Sequence, residues 1–330
     1  MIVEATAPTR IDLAGGTLDI WPLYLFHPGA LTVNLAIDRR AFCRVETGVR
    51  GVRLESLDTG RTVEGRDVGE VLAAGELRLP AFLLRAMGVE TGVRLVLRSS
   101  VPAGSGLGGS SALAVAAAGA LARAIGRELD ADALLALVRD AEAQCIGVPT
   151  GVQDYLAAQQ GGVLAVRLEP GATRVERLAV PAAWVEERLL LVDAGATRFS
   201  GINNWEVFKA RIDGDGRVRE ALDEIVSVAA GLRAALLSGQ AGELASLLRR
   251  EWEARKRLAP AVTTPDVDRI VALAVEAGGA AKVCGAGGGG MVAVWDGGGR
   301  REALARALAG AGFARVPFRV ADAGLALTSL

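Results

Sequence analysis

Histidine occurs once in this 330-residue chain, at His27. A Ser-His-Asp triad or a histidine-rich zinc centre would have to be built on that one ring, which sets both aside. Cysteine is nearly as sparse. Cys43, Cys145 and Cys284 are far apart, odd in number and in no metal spacing, so free thiols in a reducing cytosol are expected and a cytoplasmic location with them. An excess of either charge is missing too: 37 Lys and Arg stand against 38 Asp and Glu. That balance suggests neither a nucleic-acid polyanion nor an acidic membrane surface as a global partner. The first residues contain Glu4 and Arg10 without an apolar core, so no secretory leader is expected, and the longest alanine-rich run stops at Arg123, too short to cross a bilayer.

What is abundant is glycine, and its placement carries the reading. Val93–Arg98 alternates like a half-buried strand, and Ala112–Ile125 places Leu113, Ala117, Leu121 and Ile125 on one helical face. Between them lies Pro102-Ala103-Gly104-Ser105-Gly106-Leu107-Gly108-Gly109-Ser110-Ser111. Backbone N–H groups at a helix start have no partner inside the helix and, with the helix dipole, favour anionic oxygens, above all phosphates. Gly104, Gly106 and Gly109 also fit G-x-G-x-x-G, but the acid expected about 20 residues on is replaced by Asp130 and Asp132, which read as helix caps. No Lys-Ser/Thr follows, so it is not a Walker A loop. A plain glycine turn capped by Ser110 or Ser111 stays open from the loop alone.

Three other stretches stand out. Arg10 and Asp12 lie on a strand running into Gly15-Gly16-Thr17-Leu18-Asp19. Glu142 shares the apolar face of helix Ala131–Gln144 with Leu135 and Val138, where a carboxylate is costly without a cation or metal. Asp154 follows the turn Gly147-Val148-Pro149-Thr150-Gly151 and reads either as an aimed carboxylate or as the N-cap of a short helix at Tyr155–Gln159. Lys282-Val283-Cys284-Gly285-Ala286-Gly287-Gly288-Gly289-Gly290 precedes the apolar strand Met291–Trp295, so the glycines are expected to press backbone against a ligand or another loop. Strands are expected at Ile2–Glu4, Arg10–Leu13, Leu31–Ile37, Ala41–Glu46, Val52–Ser56, Val163–Leu168, Val175–Leu178, Leu189–Val192 and Phe313–Val320. Helices gathered to one side complete an α+β class, with domains at 1–184 and 185–330.

Taken together the motifs resemble those of the GHMP small-molecule kinases, the family of galactokinase, homoserine kinase and mevalonate kinase. Ala7–Gly16 resembles the N-terminal substrate motif, Pro102–Ser111 the phosphate loop, and Lys282–Gly290 the C-terminal glycine motif. Gly15–Asp19 and Gly151-Val152-Gln153-Asp154, with Thr197-Arg198-Phe199-Ser200, are closer to the branch phosphorylating the anomeric hydroxyl of heptose 7-phosphate. The chain departs from the family pattern at Gly109, which stands where the first of two paired serines is common.

The resemblance implies an N-terminal domain like the second domain of ribosomal protein S5, a ferredoxin-like C-terminal domain, and ATP with Mg²⁺ as cofactors. It implies transfer of the γ-phosphoryl group to a hydroxyl of a sugar or sugar phosphate. Pro102, Ala103, Gly104, Ser105, Gly106, Leu107, Gly108, Gly109, Ser110 and Ser111 would hold the nucleotide, and Ser110 and Glu142 the metal. Asp154 would orient the acceptor hydroxyl and take its proton, with Arg10 keeping Asp154 charged. Gly16, Thr17, Asp19, Gly151, Arg198, Gly285, Ala286 and Gly287 would meet the acceptor. No nucleic acid or membrane is expected as partner, and a homodimer is compatible with the resemblance. The rival readings are an isoprenoid-pathway kinase such as mevalonate kinase and a nucleotide-binding sensor that keeps the fold without the chemistry.

Overall fold

The computed structural model describes residues 1–195, 201–285 and 287–330, the side chains of residues 201–203 and 260 excepted. Two sheets organise it. The first contains β1 (Ile2–Ala14), β2 (Leu31–Thr47), β3 (Val52–Ser56), β4 (Arg61–Gly65), β5 (Val93–Ser99), β6 (Val163–Glu169) and β7 (Ala172–Arg177). The second contains β8 (Leu189–Asp193), β9 (Ala280–Val283), β10 (Met291–Trp295) and β11 (Ala314–Arg315), while β12 (Ala326–Ser329) returns to pair with β1.

Each of the first two strands is longer than the residue pattern suggests. The expected pairs Ile2–Glu4 with Arg10–Leu13, and Leu31–Ile37 with Ala41–Glu46, are single strands whose register shifts at Pro8/Thr9. Proline offers no N–H to a ladder and is tolerated at such a bulge. Beyond it β1 stops alternating and is buried on both faces, because helices cover each side.

Eleven helices are described: α1 (Val68–Ala73), α2 (Arg78–Ala86), α3 (Gly109–Ala124), α4 (Ala131–Ile146), α5 (Gln153–Gln160), α6 (Ala182–Glu186), α7 (Gly201–Ile212), α8 (Gly216–Ser238), α9 (Ala241–Leu258), α10 (Pro265–Glu276) and α11 (Arg301–Gly310). Helix α3 is packed on nearly every side, against β1, β2 and β5 and against α2, α4 and α5. Its alanines allow that close approach. No helix among the described residues is long and apolar enough to cross a membrane. Cys43, Cys145 and Cys284 are free thiols.

The second sheet runs β11-β8-β10-β9 with every described pair antiparallel. In order of appearance that is 4-1-3-2, the arrangement of a ferredoxin-like β-α-β-β-α-β unit. The expected strand Phe313–Val320 is reduced to Ala314–Arg315 and a lone bridge from Val320 to Ile37. The expected division after residue 184 is also crossed, since Ala326–Ser329 completes the edge of the first sheet.

Candidate active site

Helix α3 begins without a side-chain cap. Gly108, at φ +70°, takes the N-cap position, so neither Ser110 nor Ser111 caps it as the plain-turn reading had it. The first-turn amides are therefore left for another acceptor. They open on a cleft of about 530 Å³ lined mainly by the first half of the chain, with Asn204 and Gly285 from the second. From the predicted residues the cleft gathers Arg10, Gly16, Thr17, Asp19, Pro102, Ala103, Gly104, Ser105, Gly106, Gly108, Gly109, Ser110, Ser111, Glu142, Gly151, Asp154 and Gly285.

Two predicted residues sit elsewhere. Leu107 is fully buried among Val33, Val101 and Leu191, so its side chain is core, and only its carbonyl serves the site by accepting from the Arg10 amide at 3.0 Å. Gly287 is pressed against Val262, where an added Cβ would lie 2.4 Å from Cγ2. It supports the glycine motif and does not face the cleft. Arg198 and Ala286 lie outside the described residues.

The glycine motif and the phosphate loop meet backbone to backbone. A Cβ on Gly106 would fall 2.2 Å from the Cys284 carbonyl oxygen, and one on Gly285 would fall 3.0 Å from the Gly106 Cα. Met291 N donates to the Ser105 carbonyl at 3.0 Å. The second sheet thus forms the floor of the loop.

At the mouth of α3, Asp154 meets Arg10. The guanidinium reaches Asp154 Oδ1 through Nε at 2.7 Å and Nη2 at 2.7 Å, while Nη1 donates to the Gly106 carbonyl. Asp154 is not the cap of its helix: Val152 holds that position and Asp154 lies in the first turn of α5. Its carboxylate touches the position of the absent Gly108 Cβ, at 3.0 Å from Oδ2. The carboxylate is therefore placed between the phosphate-loop helix and the cleft.

Glu142 is buried behind this point. It accepts from Ser111 Oγ at 2.9 Å and from the Tyr155 hydroxyl at 2.5 Å. Burial pushes its pKa up, the hydroxyls of Ser110, Tyr155 and Ser111 oppose that, and the charge of Asp154 adds to it. Two mutually repelling carboxylates and the serine hydroxyls that reach Glu142 are hard oxygen donors of the kind Mg²⁺ prefers. Among the described residues no group of three or more His, Cys, Asp or Glu is gathered for a metal. An ion here would complete its shell with water and phosphate oxygens, as Mg²⁺ habitually does.

The opposite wall of the cleft is built on the turn after β1. Asp19 is buried, accepts from the Gln153 amide at 2.9 Å, and lies so close to Gly151 that a Cβ there would meet Oδ2 at 2.2 Å. Burial pushes Asp19 up to about 6, against the Gln153 hydrogen bond and with the help of Asp154. Thr17 Oγ1 donates to Asn204 Oδ1 at 2.8 Å.

Sequence reasoning missed Tyr155, Asn204, Gln153, Glu251 and Arg255. Only the last two left a signal. Leu244, Leu248, Glu251, Arg255 and Leu258 share one helical face, so two charges fall on the buried stripe of α9. The others depend on contacts between distant segments.

Two family profiles match the chain: GHMP kinases N terminal domain over residues 76–162 and GHMP kinases C terminal over residues 232–314. The chain is 27% identical over 301 residues to a D-glycero-alpha-D-manno-heptose 7-phosphate kinase of Campylobacter jejuni, with 88% of each chain covered. It is 32% identical over 199 residues to a mevalonate kinase of Aeropyrum pernix, covering 56% of this chain and 58% of that one. A crystal structure of a D-glycero-D-manno-heptose 1-phosphate kinase from Bacteriodes thetaiotaomicron superposes with a TM-score of 0.80 at 25% identity, over 99% of both chains.

Proposed function

The chain belongs to the GHMP kinase family and is an ATP-dependent phosphotransferase with a hydroxyl acceptor, and on that footing we propose that the acceptor is a sugar phosphate of the heptose 7-phosphate type, modified at its anomeric hydroxyl. The observation that carries the reading is the acceptor wall. Asp19 and Asp154 face the same cleft with Thr17, Gln153 and Asn204, and Arg10 is already paired to Asp154. Carboxylates and amides suit the many hydroxyl donors of a sugar. The relative named as a heptose 7-phosphate kinase supports the same class. Arg198 is the proposed anchor for the acceptor's own phosphate, because a guanidinium binds such oxygens as a planar fork.

In this reading the free amides of the α3 first turn, with those of the Gly104–Gly109 loop other than Ser105, which is bonded to the Pro102 carbonyl, hold the triphosphate, and the base end lies toward Leu77, Leu79 and Pro80. Ser110 and Glu142 would hold Mg²⁺, which would supply positive charge against that of the phosphates. Asp154 orients the acceptor hydroxyl and receives its proton, and Arg10 fixes the Asp154 carboxylate and faces the transferring group. A carboxylate is a weak base toward an alcohol. In a loose transition state the proton leaves late, so positioning and charge carry most of the rate.

The test is an acceptor panel with ATP: heptose 7-phosphate, free hexoses, fucose and mevalonate, with the phosphorylated position assigned by ³¹P NMR. Turnover of a sugar phosphate giving an anomeric phosphate is expected. Efficient turnover of mevalonate with none of the sugars would overturn the reading.

A further inference from the structure

Two residues before the turn that carries Thr17 and Asp19, β1 enters a sealed group of four charges. Lys282 Nζ donates to Asp12 Oδ2 at 2.9 Å and to the Asp12 carbonyl at 3.1 Å, and stands 3.5 Å from Glu251 Oε1. Arg255 binds Glu251 Oε1 through Nε at 3.1 Å and Nη2 at 2.7 Å, and approaches Asp12 Oδ2 at 3.8 Å. Two acids and two bases cancel, and all four side chains are buried.

The cluster is not only internal. Arg255 Nη2 also donates to the carbonyl of Gly16 at 3.2 Å, from α9 of the second half to the acceptor turn of the first. Gly16 has no room for a side chain there. Its Cβ would stand 2.8 Å from Asp12 Oδ2, 3.0 Å from Gln153 Nε2 and 3.3 Å from Arg255 Nη2. The next residue, Thr17, has φ +77° although it is β-branched. Such a residue in the left-handed region is strained and persists only where its surroundings hold it. Its holders are the Arg255 bond on one side and the Thr17–Asn204 bond on the other.

We infer that Arg255, braced by Glu251, is a positioning residue that clamps Gly16 and so presents Thr17 and Asp19 to the acceptor in a fixed geometry. It acts through the turn and touches neither substrate. The inference rests on the acceptor lying at this turn, as proposed above. Loosening the clamp then weakens acceptor binding and leaves the nucleotide loop, which Arg255 does not contact, as it was.

The experiment is steady-state kinetics with ATP and heptose 7-phosphate on two variants. Arg255→Lys keeps the charge and loses the fork. The pair Glu251→Gln with Arg255→Gln removes one charge of each sign, leaving Asp12 and Lys282 matched. Both are expected to raise the acceptor KM about 10-fold, with kcat within about threefold and the ATP KM within about twofold of wild type, a selective split of the kind expected when acceptor binding is lost equally from the ground and transition states. Equal rises in both KM values, or an unchanged acceptor KM in either folded variant, would overturn the inference. So would failure of both variants to fold at 25 °C, which would make Arg255 and Glu251 supports of the fold as a whole and not a clamp on one turn. If wild type itself does not turn over a sugar phosphate, it is the acceptor assignment that fails; if wild type is active and the variants match it, only the clamp fails.

Discussion

Strand β1 makes two acid–base pairs two residues apart, and they have opposite fates. Arg10 and Asp12 point to the same face of the strand. Arg10 meets Asp154 at the cleft, where the Asp154 side chain is 23% exposed. Asp12 meets Lys282 where both side chains are wholly enclosed. In the proposed reading the same attraction serves chemistry in one place and architecture in the other. Burial decides which. At the cleft a ligand can compete for the carboxylate, while in the sealed group any loss strands a charge in a poorly solvated interior. Burial alone would raise the Asp12 pKa, but Lys282, Arg255 and Arg10 outweigh it and hold the carboxyl below its usual range.

The sharpest way to break this contrast is Asp154→Asn. Catalysis is expected to fall by about 10²–10⁴-fold, the range of acid–base effects, while the denaturant midpoint moves little. Near-wild-type kcat would remove Asp154 from the chemistry. Lys282→Met should behave in reverse, losing about 3–5 kcal/mol of stability, the usual result of breaking a buried pair, as measured by urea unfolding. A loss below about 1 kcal/mol, typical of exposed pairs, would show that the group is wet after all.

Asp19 falls between the two cases, buried yet facing the cleft. Its folded pKa of about 6 lies above the unfolded value, so its protonated form is favoured by folding. The stability it contributes is present below about pH 4 and is lost as pH rises through about 6. Asp19→Asn is therefore expected to stabilise the protein at pH 7.5, by up to about 3 kcal/mol from a shift of about two units, and to lose that advantage at pH 4. The same variant should raise the acceptor KM. Equal stability of variant and wild type at pH 7.5 would contradict the buried charge.

The smallest effect concerns His27, whose Nδ1 faces Asp223 at 2.6 Å and whose Nε2 accepts from Arg211 at 3.0 Å. Burial holds its pKa below the usual value despite the Asp223 carboxylate. A depressed base favours folding when neutral, so stability should be full above the unfolded value of about 6.5 and decline as pH falls below it. A single histidine gives a single imidazole signal. Its NMR titration midpoint in the folded protein should lie below that in urea, and a higher one would reverse the assignment.

The sequence made the ends of elements legible where a local rule governs them. Asp130 caps α4, accepting from the Ala133 amide at 2.7 Å, and the alternation of Val93–Arg98 became β5. The phosphate loop, Glu142 and Asp154 were readable because each sits beside a helix start or on an apolar stripe. The edge strand β12 was not, since its partner β1 lies at the other end of the chain, and the short β4, though hairpinned to its neighbour β3, buries only Val63 and so shows little apolar alternation. Glu251 shows the limit from the other side. Its phase on α9 marked it as buried, but only the fold supplies Lys282 and Asp12 beside it.

The seam between Gly106 and Gly285 limits how freely the two halves can be recombined. It is made of bare main chain, so no neighbouring side chain can be altered to absorb a misfit across it. A chimera that takes its front half from one relative and its back half from another would have to inherit both glycine loops from a single parent, or rebuild the joint entirely.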